Sequence, residues 1–233
     1  MVLCSALLAL GLPACSGSGE GGQEPPKPVV VKKKAPLGKN VFLETEGDKR
    51  RVLVEATVCL REGGLEQFLT CKGLKAHEAI LTADVDARDI HLALVAARAE
   101  PGHPVRFRPQ FEAATGTTIK VFVEYQNKGQ TVRVPAQSWI RSAKTKKDLA
   151  MDWVFAGSSL DPNPFDKTKP PYYAANFGDV ICVSNFDTAM MDLPINSPKD
   201  NDDLSFQAHT ERIPDLKTPV LVILDPVLPE KKK

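Results

Sequence analysis

Cys71, His77, His91 and His103 are the soft or borderline metal ligands of the middle of the chain, with Glu78 beside His77. A structural zinc site wants close pairs such as Cys-x-x-Cys or His-x-x-x-His, and the sequence has neither. No metal or other cofactor is therefore expected, and Cys71, His77 and His91 stand as weak metal candidates only. His91 falls on the apolar face of a predicted helix, where a hydrogen-bonded core histidine is the commoner outcome. No Gly-x-Ser-x-Gly elbow occurs, so no serine nucleophile is assigned. Gly157-Ser158-Ser159 and Ser184-Asn185 each follow a predicted strand and read most simply as strand-end turns. Glu55, Glu62, Glu66, Glu78, Asp152 and Glu211 offer carboxylates, and Arg61-Glu62 and Glu211-Arg212 sit just after predicted strands. Structural ion pairs are the expectation there. Trp139, Trp153, Phe155, Tyr172 and Tyr173 could stack on a sugar or peptide. Aromatics make up only 6% of the chain, and packing needs most of them. No catalytic residue is assigned.

The charge balance narrows the partners. Lys and Arg total 30 against 29 Asp and Glu, which gives no basic excess for nucleic acid. The basic runs Lys32-Lys33-Lys34, Lys146-Lys147 and Lys231-Lys232-Lys233 are short and read as solvated charge.

Residues 2–14 are uncharged and mostly apolar. The run is shorter than the roughly 20 residues of a membrane span and fits the apolar region of a signal peptide. Leu12-Pro13-Ala14-Cys15 follows and resembles the lipobox of bacterial lipoproteins, in which the cysteine is acylated and becomes the new N-terminus. Residues 1–15 are thus expected to be a signal peptide with lipidation at Cys15. The protein is expected to be exported, in the cell envelope or periplasm, with the lipid on Cys15 as its contact with the membrane. Gly, Ser, Pro and Lys dominate residues 16–38, which predicts a flexible tether. Its Gly-rich part lacks the strand before and the Lys-Ser/Thr after that a phosphate loop requires.

A single folded domain is expected over residues 39–228, followed by a charged tail at 229–233. Val41–Glu44 and Val52–Leu60 flank Gly47-Asp48 and predict a hairpin. Val52, Val54, Ala56, Val58 and Leu60 share one face of the second strand. A loop or short helix is expected around Gly63–Leu69 and a strand at Ala79–Val85. Asp86 is placed to cap a helix over about 86–100, whose apolar face is Ala87, Ile90, His91, Leu94 and Val95. Thr117–Tyr125 and Thr131–Ala136 predict a second hairpin around Asn127-Lys128-Gly129. Trp153–Ala156, Val180–Ser184 and Leu204–Ala208 are further predicted strands. Val220–Leu224, continuously apolar between Pro219 and Pro226, reads as a central strand buried on both faces. Asp161–Pro171 is expected to be a long surface loop. Strands outnumber helices and turns join them, so the predicted class is β-rich α+β with mostly antiparallel sheet and one main amphipathic helix.

Export would place the domain in an oxidising space, where disulfides persist. Cys59, on the outer strand face, and Cys71, in a turn-like segment, are expected to pair. The bond would contribute roughly 3 kcal/mol in the chain-entropy model. Cys182, inside an apolar strand, is expected to be an unpaired, buried thiol.

The segments CLREGGLEQFLTCKG (59–73), HEAILTADVDARDIHLALVAARAEPGHPVRF (77–107), DWVFAGS (152–158), GDVICVSNF (178–186) and TERIP (210–214) together resemble the YdjY-domain proteins, which are exported bacterial proteins. The likeness covers nearly all of residues 40–226 and implies no established activity. Some members carry a ferredoxin-like label, but an iron–sulfur cluster needs about four thiolate ligands. The predicted domain holds only Cys59, Cys71 and Cys182. The leading expectation is a non-enzymatic envelope module that binds an envelope protein or a cell-wall component. The alternative is a metal-dependent or redox enzyme using Cys71, His77 and their neighbours.

Overall fold

The computed structural model describes residues 31–163, 166–197 and 205–229. Cys15, most of the predicted tether and nearly all of the C-terminal tail lie outside these. In chain order the strands begin with β1 (Lys32–Gly38), β2 (Val41–Glu46), β3 (Lys49–Val58), β4 (Gln67–Cys71) and β5 (Ala79–Ala83), followed by the helix α1 (Ala87–Ala96). There follow β6 (Thr118–Asn127), β7 (Gln130–Pro135), β8 (Ile140–Ser142), β9 (Trp153–Phe155), β10 (Leu160–Asp161) and β11 (Tyr172–Tyr173). The last are β12 (Ile181–Cys182), β13 (Met191–Asp192), β14 (Phe206–Ala208) and β15 (Pro219–Pro226).

Eight of these strands close into a mixed barrel. The order is β3-β15-β6-β9-β13-β12-β4-β5, and β5 returns to β3. Only β12–β13 and β4–β5 pair in parallel. The β1–β2 hairpin extends the sheet beyond β3, β7 extends it beyond β6, and β10–β11 and β8–β14 are separate two-stranded ribbons. Closure pairs these eight strands into a ring and leaves β1 and β7 as the outer edges of the sheet.

Local patterning explains the long strands. In β3, Val52, Val54, Ala56 and Val58 are buried while Glu55 is exposed. Gly47 takes a positive φ in the turn that joins β2 to β3. Val123 faces Val134 and Tyr125 faces Val132 in the β6–β7 hairpin. β15 lies between β3 and β6 and pairs with both along its length, as its uninterrupted apolar run predicts. The core gathers around Trp139, Trp153, Phe68 and Phe155, all essentially inaccessible to solvent. Helix α1 starts where Asp86 accepts from the Arg88 backbone N–H. It buries Ala87, Ile90, Ala93 and Leu94. It is shorter than predicted, ending at Ala96, and Val95 faces solvent.

Three expectations need correction. Gln67–Cys71 is strand β4, where the sequence predicts a loop or short helix around Gly63–Leu69 and a turn-like segment at Cys71. All five of its residues are buried, so no in–out alternation marks it. Lys32–Gly38, expected as part of a flexible tether, pairs with β2 as β1. Its lysines and Pro36 mimic a linker, yet they suit an exposed edge strand. Cys59 and Cys71 do not pair, and the thiols of Cys59, Cys71 and Cys182 are all free. The Cys59 backbone N–H bonds Ile80 on one side of β5, while Cys71 lies opposite Ala83 on its other side. Two strand spacings of about 4.8 Å each already exceed the roughly 7 Å that a disulfide bridges.

The strand β1 makes the start of the domain testable. Lys34 Nζ lies 3.7 Å from the centroid of the Phe42 ring, and Gly38 lies against Asp89 of α1. A chain beginning at Lys39 is expected to be less stable than one beginning at Val31 by about 1–2 kcal/mol, or roughly 3–6 °C in melting temperature. Thermal unfolding of the two chains checks this, and equal midpoints would return β1 to the tether.

Candidate functional site

The residues with the best opportunity for chemistry lie between α1 and the β10–β11 ribbon. A cavity of about 410 Å³ is lined there by Arg88, His91, Leu92, Gly157, Ser158, Ser159, Leu160 and Tyr173. Arg88, His91 and Leu92 come from α1, the next four from the turn after β9 and the start of β10, and Tyr173 from β11. Gly157 (φ +90°) and Ser158 (φ +55°) are both left-handed. This backbone conformation is costly for serine and persists only where its surroundings fix it. Here Met190 O and Ala189 O accept from the Gly157 and Ser158 N–H groups.

A hydrogen-bond chain sets the polar floor. Tyr173 Oη donates to Gly157 O at 3.0 Å and lies 2.9 Å from His91 Nδ1. A carbonyl only accepts, so the tyrosine proton goes to Gly157, and Nδ1 must carry the proton shared with Tyr173. Nε2 is then the acceptor nitrogen of a neutral ring. Burial lowers the His91 pKa, partly offset by the Gly157 carbonyl, which favours the same neutral form. The ring is wedged edge-on between Phe155, at 4.9 Å between centroids, and Tyr173, at 5.6 Å.

The Ser158 and Tyr173 hydroxyls are already engaged. Ser158 Oγ donates to Thr188 O at 2.6 Å and accepts from the Ala175 N–H at 3.0 Å. Burial drives the Tyr173 phenol pKa well up. Neither side chain is placed as an activated nucleophile. At the rim, Arg88 holds Asp86 through Nε and Nη2. Leu92 and Leu160 stand 62% and 67% exposed, an apolar lip that no protein group covers among the described residues.

The sequence pattern matches the YdjY domain over residues 43–225. This chain belongs to the YdjY-domain family. No curated protein and no solved structure matches it. The cavity is built from segments within the YdjY domain, since its lining runs from Arg88 to Tyr173.

The other sequence candidates of the YdjY domain are dispersed. Among the described residues, no three His, Cys, Asp or Glu side chains are grouped to hold a metal ion. The His77 side chain is 82% exposed beside Glu78, Cys71 is buried at the end of β4, and His91 is committed to Tyr173. Burial raises the Cys59 and Cys71 thiols to about 11 and pushes Cys182 well up, so all three stay protonated and poorly nucleophilic. Ser184 Oγ donates to Leu65 O, and Asn185 bonds Asp192, Leu193 O and the Ser197 N–H, all buried. Arg61 pairs with Asp215, and Arg212 pairs with Asp148. Glu55 lies 3.7 Å from Lys34, Glu211 lies 3.6 Å from Arg141, and Asp152 accepts from Gln137. Glu62 is exposed. Trp139, Trp153 and Phe155 are core, and Tyr172 packs on Phe177 at 4.5 Å. Sequence reasoning missed Arg88, Leu92 and Leu160. His91, Tyr173 and Gly157-Ser158-Ser159 were legible only as separate candidates, with no local signal joining them.

A second polar cluster lies beneath β4. Lys75 Nζ is 2.9 Å from Asp179 and 3.8 Å from Glu66, and Thr188 and Gln67 also donate to Asp179. Burial, and then a hydrogen bond and charge shared with Glu78, raise the Glu66 pKa to about 6, against the pull of Lys75 and Gln67. The folded state therefore holds a proton that the unfolded chain has released between about pH 4.5 and 6. Stability contributed by Glu66 is present below that window and declines as pH rises through it, by about 1–2 kcal/mol. Glu66→Gln is expected to flatten this decline. Denaturant titrations of both proteins at pH 4.5 and pH 7 measure it, and parallel pH profiles would refute the assignment.

Proposed function

We propose that this YdjY domain is a non-enzymatic binding module of the cell envelope. It is held to the membrane by lipid at Cys15 and takes part of an envelope protein or cell-wall component into the cavity beside α1. One observation carries the reading. The cavity combines an exposed apolar lip, Leu92 and Leu160, with a polar floor in which the Ser158 and Tyr173 hydroxyls are engaged internally. Concave apolar walls with a few fixed polar groups are the usual form of a ligand site. The two engaged hydroxyls, Ser158 and Tyr173, are not nucleophiles activated by a base. No helix among the described residues is long and apolar enough to cross a membrane.

The probe for the cavity is anilinonaphthalene sulfonate, an apolar anion that fluoresces when shielded from water. With the full chain it is expected to saturate at one equivalent. Leu92→Asp, at an exposed position, is expected to abolish that signal. Unsaturable binding, or binding indifferent to Leu92→Asp, would remove the cavity as the site. Cys15→Ser is expected to move the protein from the membrane fraction to the soluble envelope fraction, and identical fractionation would exclude the anchor.

A further inference from the structure

We propose that the cavity recognises the carboxyl-terminal residue of an acylated amino acid or short peptide with an apolar side chain. The carboxylate sits on Arg88, the amide N–H on His91 Nε2, and the side chain between Leu92 and Leu160. This rests on the binding-module reading and names its ligand.

The geometry argues it in four steps. Arg88 and His91 are three residues apart on α1, so they are neighbours on one helix face with Cβ atoms about 5–6 Å apart. A terminal carboxylate and the amide nitrogen of the same residue are separated by a single carbon and reach both groups together. Arg88 is aimed before any ligand arrives. Asp86 holds its Nε and Nη2, which leaves Nη1 for an anion and reduces the ordering cost of binding. Asp86 is held in turn by Asn176 Nδ2 at 2.8 Å.

His91 supplies the opposite preference. With Nδ1 committed to Tyr173, the ring presents an acceptor and asks for a donor. A carboxylate alone offers none, whereas an amide does. Leu92 follows His91 directly on α1 and lines the cavity together with Leu160 of β10. Two exposed leucines on one cavity can cover an aliphatic side chain, and a purely polar ligand would leave them wet.

The chemistry has two sources, a protein carboxyl terminus of L-residues or a cell-wall peptide ending in a D-residue. The two enantiomers of one small probe distinguish them. Titrate the full chain with N-acetyl-L-leucine, N-acetyl-D-leucine, N-acetylleucinamide and 4-methylpentanoate, following His91 ring resonances by NMR. One acetylleucine enantiomer is expected to bind at least about tenfold tighter than the amide, which lacks the charge, and than 4-methylpentanoate, which lacks the N–H. The preferred enantiomer names the source. Arg88→Gln is expected to erase the preference over the amide, and His91→Phe the preference over 4-methylpentanoate. The unmodified protein alone decides the matter if His91→Phe misfolds. Equal affinities for all four probes would overturn the ligand class while leaving the cavity standing, provided that anilinonaphthalene sulfonate still binds there. Displacement of that dye by none of them would likewise overturn the ligand class.

Discussion

Lys75→Met is expected to lower the stability of the domain by about 3 kcal/mol at pH 7, the lower end of the range for removing one partner of a buried ion pair. The Asp179 side chain is only 5% exposed and lies 2.9 Å from Lys75 Nζ. Burial opposes the charge on Lys75, but Asp179 and the neighbouring acidic groups outweigh it and raise its pKa. The ammonium also lies 4.1 Å from the Phe186 ring centroid. Without it, Asp179 keeps only the Gln67 amide and the Thr188 hydroxyl as side-chain donors, and Glu66 loses its nearest cation. The lysine is 26% exposed, so some water reaches the pair, which is why the lower end applies. Lys75→Met combined with Asp179→Asn is expected to recover more than half of the loss. Urea denaturation of the two variants measures this. If the double variant is no more stable than the single one, the buried charge is not what the lysine compensates.

Gly116→Ala is expected to cost more than about 3 kcal/mol, a fall of roughly 10 °C or more in melting temperature. Gly116 has φ +137°, and a Cβ on it would lie 2.0 Å from Phe155 O and 2.9 Å from Gly102 N. Those two atoms form a hydrogen bond at 2.9 Å. The substitution would therefore push apart the backbone of β9 and the 101–116 segment that crosses it. Phe155 also packs against His91, so the floor of the cavity would move as well. Gly129→Ala is the control. Gly129 has φ +80° in the β6–β7 turn with no heavy atom near its missing Cβ, so only the conformational cost of about 1 kcal/mol applies. Equal losses in both variants would show that conformation alone, rather than close approach, requires glycine at 116.

The sequence by itself determined what depends on neighbours along the chain. Alternation in 52–60 and 117–125, with Gly47 and Gly129 at the turns, defines both hairpins, because burying one face of a strand imposes a period of two. Asp86 before an apolar helical period defines the start of α1. The unbroken run Val220–Leu224 marks the strand buried on both faces, and five segments spread over 59–214 carry the family. Tertiary structure alone decided the rest. Gln67–Cys71 became a strand because β5 and β12 pair with it on either side, and a strand buried on both faces leaves no period to read. Lys32–Gly38 became a strand because β2 offered an edge. Cys59 and Cys71 were separated by β5. The cavity joins Arg88 and His91 to Ser158 and Tyr173, residues far apart in sequence. Their meeting depends on how β9 and β11 are carried past α1 when the barrel closes, and closure is set by register between distant strands, which no local pattern encodes.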